Sequence, residues 1–506
     1  MDKTYSPIHS WRDKRYLRFY EIVDLIVDEL QDARPEKGGK AVKRKSRGAR
    51  FESLTYSVEK IIRDCVAVVF QRKRIQAASI AKSYSHYPAD RDDKRLSYKI
   101  TVKRAYEGMI ALGYIEEVKK GFFDRTFSIG RPSKSALTRY QATSKLINLF
   151  SEQEQKCLPA LLPPKIVPEL LIARRSVETA KGSRRERLSF RETEETAQMR
   201  ENLKKINRVL SEHWYDLELE DEEHQYFLKQ MVSKEAQDNG RKYNLDLRQI
   251  HLYRVFNDEK LQTGGRFYGG WWQQISRDYR RKLIVGGKRM IEYDYSNMHP
   301  AMLYHLEGLM PPEDTYTKVI AEYFPEHENN GEPLRRTIKQ AFNAMVNSPK
   351  ILKSPPRGVR LKQYGINWKQ MSEAIIESNK PIQKYFYSGY GTRLQRIDSD
   401  IAELVLLHFA DMSYPVLPVH DSFLAHNGFE NELNEVMALA YRKKIGYNIN
   451  VNLKQVKTAD HCSEENYDFG EPTTDDLDEL LKAMDVGHEN RLRAFRRNKF
   501  TSSDTI

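Results

Sequence analysis

Residues 283–304 read LIVGGKRMIEYDYSNMHPAMLY, and this stretch constrains the fold more than any other. Gly286–Gly287 is a two-residue hairpin signal, because a primed turn needs positive φ and glycine supplies it without steric cost. Met290 to Tyr293 then form an apolar strand ending at Asp294. Ser296 or Asn297 is placed to cap a helix whose first turn holds His299 and Pro300. An acid between a strand end and a helix start sits at the rim of a sheet, where a divalent cation can be held.

Residues 414–427, YPVLPVHDSFLAHN, repeat the theme: an apolar strand over 416–419, a tight turn at His420–Asp421–Ser422, and a returning strand from Phe423. Either aspartate alone reads equally well as an ordinary surface acid. Together, on adjacent strands, Asp294 and Asp421 can hold two Mg²⁺ ions roughly 3.5–4 Å apart, with Mn²⁺ as a substitute. One ion would activate a 3′-hydroxyl and the other would neutralise a leaving pyrophosphate.

Between them lies LRRTIKQAFNAMVN (334–347), where Arg335, Arg336 and Lys339 share about one helical turn and Phe342 follows one turn on. Such a cluster meets the charge that develops on a triphosphate, and without the flanking acids it reads as a solvated basic face. The helix over 394–407 carries Gln395, suited to a primer–template minor groove or simply to the surface. Residues 264–281, GGRFYGGWWQQISRDYRR, join stacking faces (Tyr268, Trp271) to cations (Arg266, Arg277, Arg280, Arg281), as a template strand requires. The alternative is a core hairpin with exposed arginines.

Lysine plus arginine number 84 against 71 acids, a net of +13 over 506 residues, which tilts the chain toward a polyanionic partner. No run approaches the roughly 18 apolar residues of a membrane span, and the N-terminus lacks a secretory pattern. Three widely spaced cysteines fit neither zinc nor a disulfide framework, so a reducing cytoplasm, bacterial or phage-infected, is expected.

The chain divides into residues 1–150, 151–255, 256–470 and 471–506. In the first, apolar spacing predicts a helix over 16–30, followed by a cationic loop with seven lysines or arginines from Lys37 to Arg50. A helix over 75–82, a second over 97–112 closed by Gly113, and strands over 114–118 and 126–129 give a winged-helix-like order. It presents Lys99, Thr101, Lys103 and Arg104 on the second helix and Lys119, Lys120 and Arg125 on the wing, for DNA or for protein contacts. Residues 151–255 read as a helical connector, with helices over 194–210 and 217–231, and 471–506 as a charged tail.

The order of these segments resembles the family A (DNA polymerase I-like) polymerases over about residues 260–460. Asp294–Tyr295–Ser296 is similar to motif A and Arg335-x-x-x-Lys339 to motif B. Leu394–Gln395 with Ser399–Asp400–Ile401 is similar to the helix before motif C, and His420–Asp421 to motif C itself. His-Asp-Ser-Phe is closest in character to the single-subunit phage and mitochondrial RNA polymerases. The resemblance implies an α+β right-hand architecture, with a palm sheet, helical fingers over about 306–390 and a thumb from helices over 194–231. It implies metal ligation by Asp294, Asp421 and the Tyr295 carbonyl, and triphosphate binding by Arg335 and Lys339, Lys339 also protonating pyrophosphate. Arg336, Phe342 and His299 would complete the nucleotide site, and His420 would lie near the primer terminus.

Departures stand beside the likeness. His299 occupies the place of a glutamate that excludes a 2′-hydroxyl, Phe342 follows the lysine by three residues instead of four, Asn343 and Asn347 stand where Tyr-Gly is usual, and Ser422 replaces glutamate. No spaced acids suggest a 3′–5′ exonuclease. The expectation is a DNA polymerase of a phage, plasmid or mobile element, using DNA template and primer, nucleoside triphosphates and other replication proteins. An RNA polymerase or primase of the same fold, a degenerate DNA-binding initiator and a metal-dependent nuclease are the alternatives.

Overall fold

The structure, a computed structural model, describes residues 16–33, 48–70, 77–87, 95–123, 135–151, 162–165, 167, 169–179, 182–219 and 248–453. The chain is mixed α/β, and its buried apolar residues form two cores, one drawn from Tyr16 to Leu162 and the other from Leu171 to Tyr441.

The first core packs α1 (Leu17–Asp32), α2 (Ala49–Phe70) and a helix that is π-helical over Tyr98–Tyr106 and α-helical as α3 (Glu107–Ala111). Tyr20, Val23, Ile26, Val27 and Leu30 of α1 are all buried, as their spacing requires. Residues expected to be helical at 75–82 instead contain the strand β1 (Ala78–Ile80). That apolar run is short enough for either period, and pairing decides it: Ala78 lies opposite Tyr140 and Ile80 opposite Thr138. Strands β2 (Ile115–Lys119), β3 (Phe122–Phe123), β4 (Ser135–Ala136) and β5 (Thr138–Ala142) follow, then α4 (Ser144–Ile147). The resulting antiparallel sheet has the order β1-β5-β2. Thr101 is buried with its hydroxyl 2.9 Å from Ser57 Oγ, so it is not on the presenting face. The strand expected at 126–129, Arg125 and most of the cationic loop lie outside the described residues.

The second core begins before residue 255, so the division expected there is corrected. Residues 151–255 supply β6 (Leu171–Thr179), β7 (Gly182–Leu188), α5 (Glu194–Ser211), β8 (Tyr215–Leu217) and most of β9 (Tyr253–Phe256), not a helical connector. Leu217 ends a strand where a helix was expected to start, and residues 220–247 lie outside the described residues. Next come β10 (Gly264–Tyr268), α6 (Arg277–Arg280), β11 (Leu283–Val285), β12 (Lys288–Tyr295) and α7 (Met298–Leu306). A block of helices follows, α8 (Thr315–Tyr323), α9 (Gly331–Asn347) and α10 (Trp368–Ser378), then the long α11 (Gly391–Asp411). The hairpin β13 (Leu417–Val419) and β14 (Ser422–His426), helix α12 (Glu430–Ile445) and β15 (Val451–Leu453) complete the described chain, and the tail from 454 is outside it.

Two sheets organise this unit. One has the order β10-β9-β6-β7, the other β13-β14-β12-β11-β8 with β15 on β12. Gly286 and Gly287 take φ of 60° and 82° between β11 and β12, as the sequence requires of that turn. The first of these sheets is bound to α11 by Arg254, whose side chain is wholly buried. It donates to Gly265 O (2.8 Å) and Ser399 Oγ (2.8 Å) and to the carboxylates of Asp400 and Glu403 (both 3.0 Å). Gly265 allows this approach: at φ +83° a Cβ would lie 2.8 Å from the Phe256 ring and 2.9 Å from Ser399 Oγ. Helix α5 also lies on α11, with Glu195 paired to Arg396 at 2.7 Å and Asn202 donating to Glu403 at 3.2 Å. It belongs to the second core.

Strand β14 carries a buried histidine. His426 lies opposite Met290, its Nε2–H donating to Val285 O at 2.9 Å, and burial holds its pKa down to about 4. The ring is therefore neutral in the fold but titrates near 6.5 when unfolded. Between those values the unfolded chain binds the extra proton, so stability falls as pH drops from about 6.5 toward 4. Urea denaturation at pH 7 and pH 4.5 is expected to show roughly 2–3 kcal/mol more acid loss for the wild type than for His426→Gln.

Candidate active site

Antiparallel pairing of β12 with β14 places Asp294 directly opposite Ser422, whose hydroxyl donates to Asp294 Oδ1 at 3.3 Å. Asp421 is the residue before Ser422, in the two-residue turn that joins Val419 to it. His420, the other turn residue, sits at φ 58°, the positive value that a tight hairpin imposes on one of its central positions. Two acids separated by 126 intervening residues are thereby neighbours at one end of the sheet. Tyr295 points its buried ring away from them, its hydroxyl donating to Met437 O at 2.7 Å. Behind the turn, Trp272 Nε1 (3.2 Å) and Gln273 Nε2 (3.0 Å) both donate to Pro418 O and brace β13.

A charged cluster adjoins the acids. Arg266 donates through Nε (2.9 Å) and Nη2 (2.7 Å) to Oδ2 of the buried Asp398, and its Nη2 is 3.3 Å from His299 Nε2. Burial alone would raise the Asp398 pKa, but His299 and Arg266 hold it below the ordinary carboxylate range. Burial likewise opposes the Arg266 charge, and Asp398, with a smaller contribution from Asp421, outweighs it. The His420 imidazole is held below its usual value by partial burial and by Arg266, against the pull of Asp421 and Asp398. Arg266 is thus the cation common to the Asp398 and Asp421 sides of the site.

Tyr316 links the sheet to the helical block. Its pKa is raised by burial, then by Asp314 and by Asp421, so Asp421 is electrostatically close to this ring. Arg335 and Lys339 stand over the same ring, at 5.5 and 6.0 Å from its centroid. The two cations differ in availability. Arg335 Nε donates to Asp314 Oδ2 at 2.6 Å, and Asp314 also accepts from the Tyr316 and Thr317 amides at the start of α8. Arg335 is therefore committed to a helix cap, whereas Lys339 and Arg336 are exposed.

Phe342 corrects its expected place in the nucleotide site. It is fully buried, edge-on to Tyr316 and Phe386 at 5.7 and 5.2 Å, and belongs to the α9 stripe of Leu334, Ile338, Ala341 and Met345. Asn297 takes the position before α7 at φ 47°, but its side chain donates to Glu313 O at 3.3 Å and does not cap the helix.

The upstream segment splits in the same way. Trp271 and Trp272 are fully buried, and Trp272 stacks on Tyr215 at 5.7 Å, so neither offers a template a free face. Arg280 is fastened to Glu292 of β12 at 3.2 and 3.3 Å, and Arg281 lies 3.6 Å from Asp278. Arg277 is exposed, Tyr268 is half-buried beside Tyr253, and Gln395 is half-buried three residues before Asp398 on α11. In the first unit, distant in sequence from these residues, Lys99 and Lys103 are exposed, Lys103 is paired with Glu107 at 2.8 Å, and Arg104 is half-buried.

Sequence reading missed Asp398, Tyr316 and Asp314. Asp398 left one signal: it interrupts the stripe Leu394, Ile401, Ala402, Val405, and a buried acid requires a partner.

For a metal, the carboxylates of Asp294 and Asp421 with the Tyr295 carbonyl could supply an oxygen donor set of the kind that suits Mg²⁺, which retains waters and phosphate oxygens instead of a full protein cage. Among the described residues no group of three or more histidine, cysteine or acidic side chains is arranged to hold a metal ion. No described helix is long and apolar enough to cross a membrane.

No protein-family model and no curated protein matches the chain. Among solved structures, the POL domain of Pol1 from M. smegmatis, in complex with DNA primer-template and dNTP, is similar at 15% identity and a TM-score of 0.30. The match covers 59% of each of the two chains, so this chain spans less than two thirds of that one. Likeness at this level assigns no activity here; the side chains must carry the argument.

Asp398 is the partner on which the cluster depends. Asp398→Ala is expected to cost about 3 kcal/mol in chemical denaturation, because it leaves Arg266 half-buried without its counter-ion. The Arg266→Met/Asp398→Leu pair should recover most of that loss.

Proposed function

We propose that this chain is a template-directed nucleic-acid polymerase, with DNA synthesis as its first activity, serving replication of a phage, plasmid or other mobile element. The observation that carries this reading is the pairing of Asp294 with Ser422, which sets Asp421 beside it. Asp294, Asp421 and the Tyr295 carbonyl would hold two Mg²⁺ ions, which when bound supply activation of a 3′-hydroxyl and neutralisation of phosphate charge. Ser422 fixes the orientation of the Asp294 carboxylate. Lys339, exposed on α9 and facing Tyr316, meets the triphosphate and is placed to give a proton to the departing pyrophosphate, with Arg336 as the second free cation. Arg335 contributes through its hold on Asp314.

His299 favours a second reading, the same chemistry with ribonucleotides. Its ring is held beside Arg266 and Asp398, and it stands at the sequence position of the glutamate that would exclude a 2′-hydroxyl. Primer extension with deoxy- and ribonucleotides decides between them. Asp294→Asn and Asp421→Asn are each expected to lower extension about 10³-fold and Lys339→Ala about 10²-fold. Extension that survives both aspartate changes removes the assignment, and a wild-type chain that extends no primer is a binding protein.

The first unit is proposed as a winged-helix-like duplex-DNA module, supported by its β1-β5-β2 sheet beside a helix with exposed Lys99 and Lys103. Reversal of both charges to glutamate should weaken duplex binding by the full chain about tenfold and lower its salt slope by roughly 2. Unchanged slope would assign the helix to protein contacts.

A further inference from the structure

The four-stranded sheet has one face against α11 and one face away from it. Leu171, Ala173, Leu188, Arg254, Phe256 and Phe267 are buried on the inner face. Pairing fixes what stands on the other. Tyr268 lies opposite Tyr253, Arg174 opposite Arg187 and Ser176 opposite Arg185. Since side chains alternate along each strand, these residues share the outer face.

That face is built against its own electrostatics. Arg174 and Arg187 are directly opposed like charges, an arrangement that destabilises a ladder unless an anion compensates. Arg187 has Glu169 at 2.5 Å, but Arg174 and Arg185 make no ion pair among the described residues. On the inner side of the same hairpin, by contrast, Arg175 is paired with Glu186 at 3.1 Å. The half-buried Arg174 stands on this face near the two tyrosines: its charge is disfavoured by burial and by Arg185 and supported by Tyr253 and Tyr268. The tyrosine rings are half-buried, 6.3 Å apart and inclined at 32°. Arg266, two residues before Tyr268 on the edge strand β10, turns instead to Asp398 of α11 beside the acidic end of the other sheet.

We propose that this outer face is a docking platform for single-stranded nucleic acid, its bases on Tyr253 and Tyr268 and its phosphates on Arg174, Arg185 and Arg187. Cations complement a phosphate backbone, and ring faces complement unpaired bases, which a duplex keeps stacked internally. The choice of nucleic acid as occupant rests on the polymerase reading above. The platform then delivers a template strand toward Arg266 and the acidic pair.

The test is fluorescence anisotropy of the full chain with a labelled 20-nucleotide single strand and with the matching duplex, over a salt series. Arg174→Gln/Arg185→Gln is expected to weaken single-strand binding about tenfold and to lower the salt slope by roughly 1–2. Tyr253→Leu/Tyr268→Leu, which keeps apolar bulk, should weaken it at least about fivefold. Duplex affinity should stay within about twofold in both variants. Single-strand affinity and slope unchanged in both variants, with unaltered melting temperature, would overturn the proposal. So would a loss for duplex as large as that for single strand. Loss of single-strand binding in a chain whose wild type extends no primer would keep the platform and remove the polymerase reading.

Discussion

The register between β12 and β14 governs the chemistry available to this molecule. Because side chains alternate with a period of two, a slip by one residue would carry Asp294 to the face that holds Tyr295 and bury a carboxylate against α12. The packing around the pair resists such a slip at both ends. Tyr295 is pinned through its hydroxyl to Met437 O, and His426 through its ring to Val285 O. The register is therefore set by apolar packing and two side-chain hydrogen bonds, and the acids occupy the position that packing leaves for them.

Ion pairs then distribute labour among the arginines. Arg254 and Arg280 are structural, each joining two elements of the body through carboxylates. Arg335 organises a helix start. Arg266 differs from these in facing the acidic end of the sheet while being anchored by Asp398. A cation fixed by a buried acid is pre-oriented, so little ordering remains when an anionic ligand arrives. Lys339, which makes no ion pair among the described residues and carries a flexible stem, suits a ligand whose charge moves during reaction.

What could be read in advance followed the range of the forces involved. The Gly286–Gly287 turn, the strand to Asp294 and the His420–Asp421 hairpin were legible because each is written in a few adjacent residues. The α9 and α11 helices were legible too, the first from cations spaced within one helical turn and the second from its place just before the His420–Asp421 hairpin. The stripe of α9 also contained the answer about Phe342, since the same spacing that makes the helix puts that ring in its core. Less local features were not accessible. Arg266 and Asp398 are linked across 132 positions, and Arg335 finds Asp314 across 21. Strand β1 forms only because β5 offers it an edge, and β6 and β7 read as a basic polar run until pairing shows which arginines share a face.

Pro418 has a consequence for association between molecules. It lies in β13, the outermost strand of its sheet, where it has no amide hydrogen to offer, and its carbonyl already accepts from Trp272 and Gln273. An incoming foreign strand would find neither donor nor free acceptor at that point. The border nearest the acidic hairpin is thereby blunted against β-augmentation, which keeps the sheet from growing by self-recruitment and leaves that end open to solvent-borne ligands.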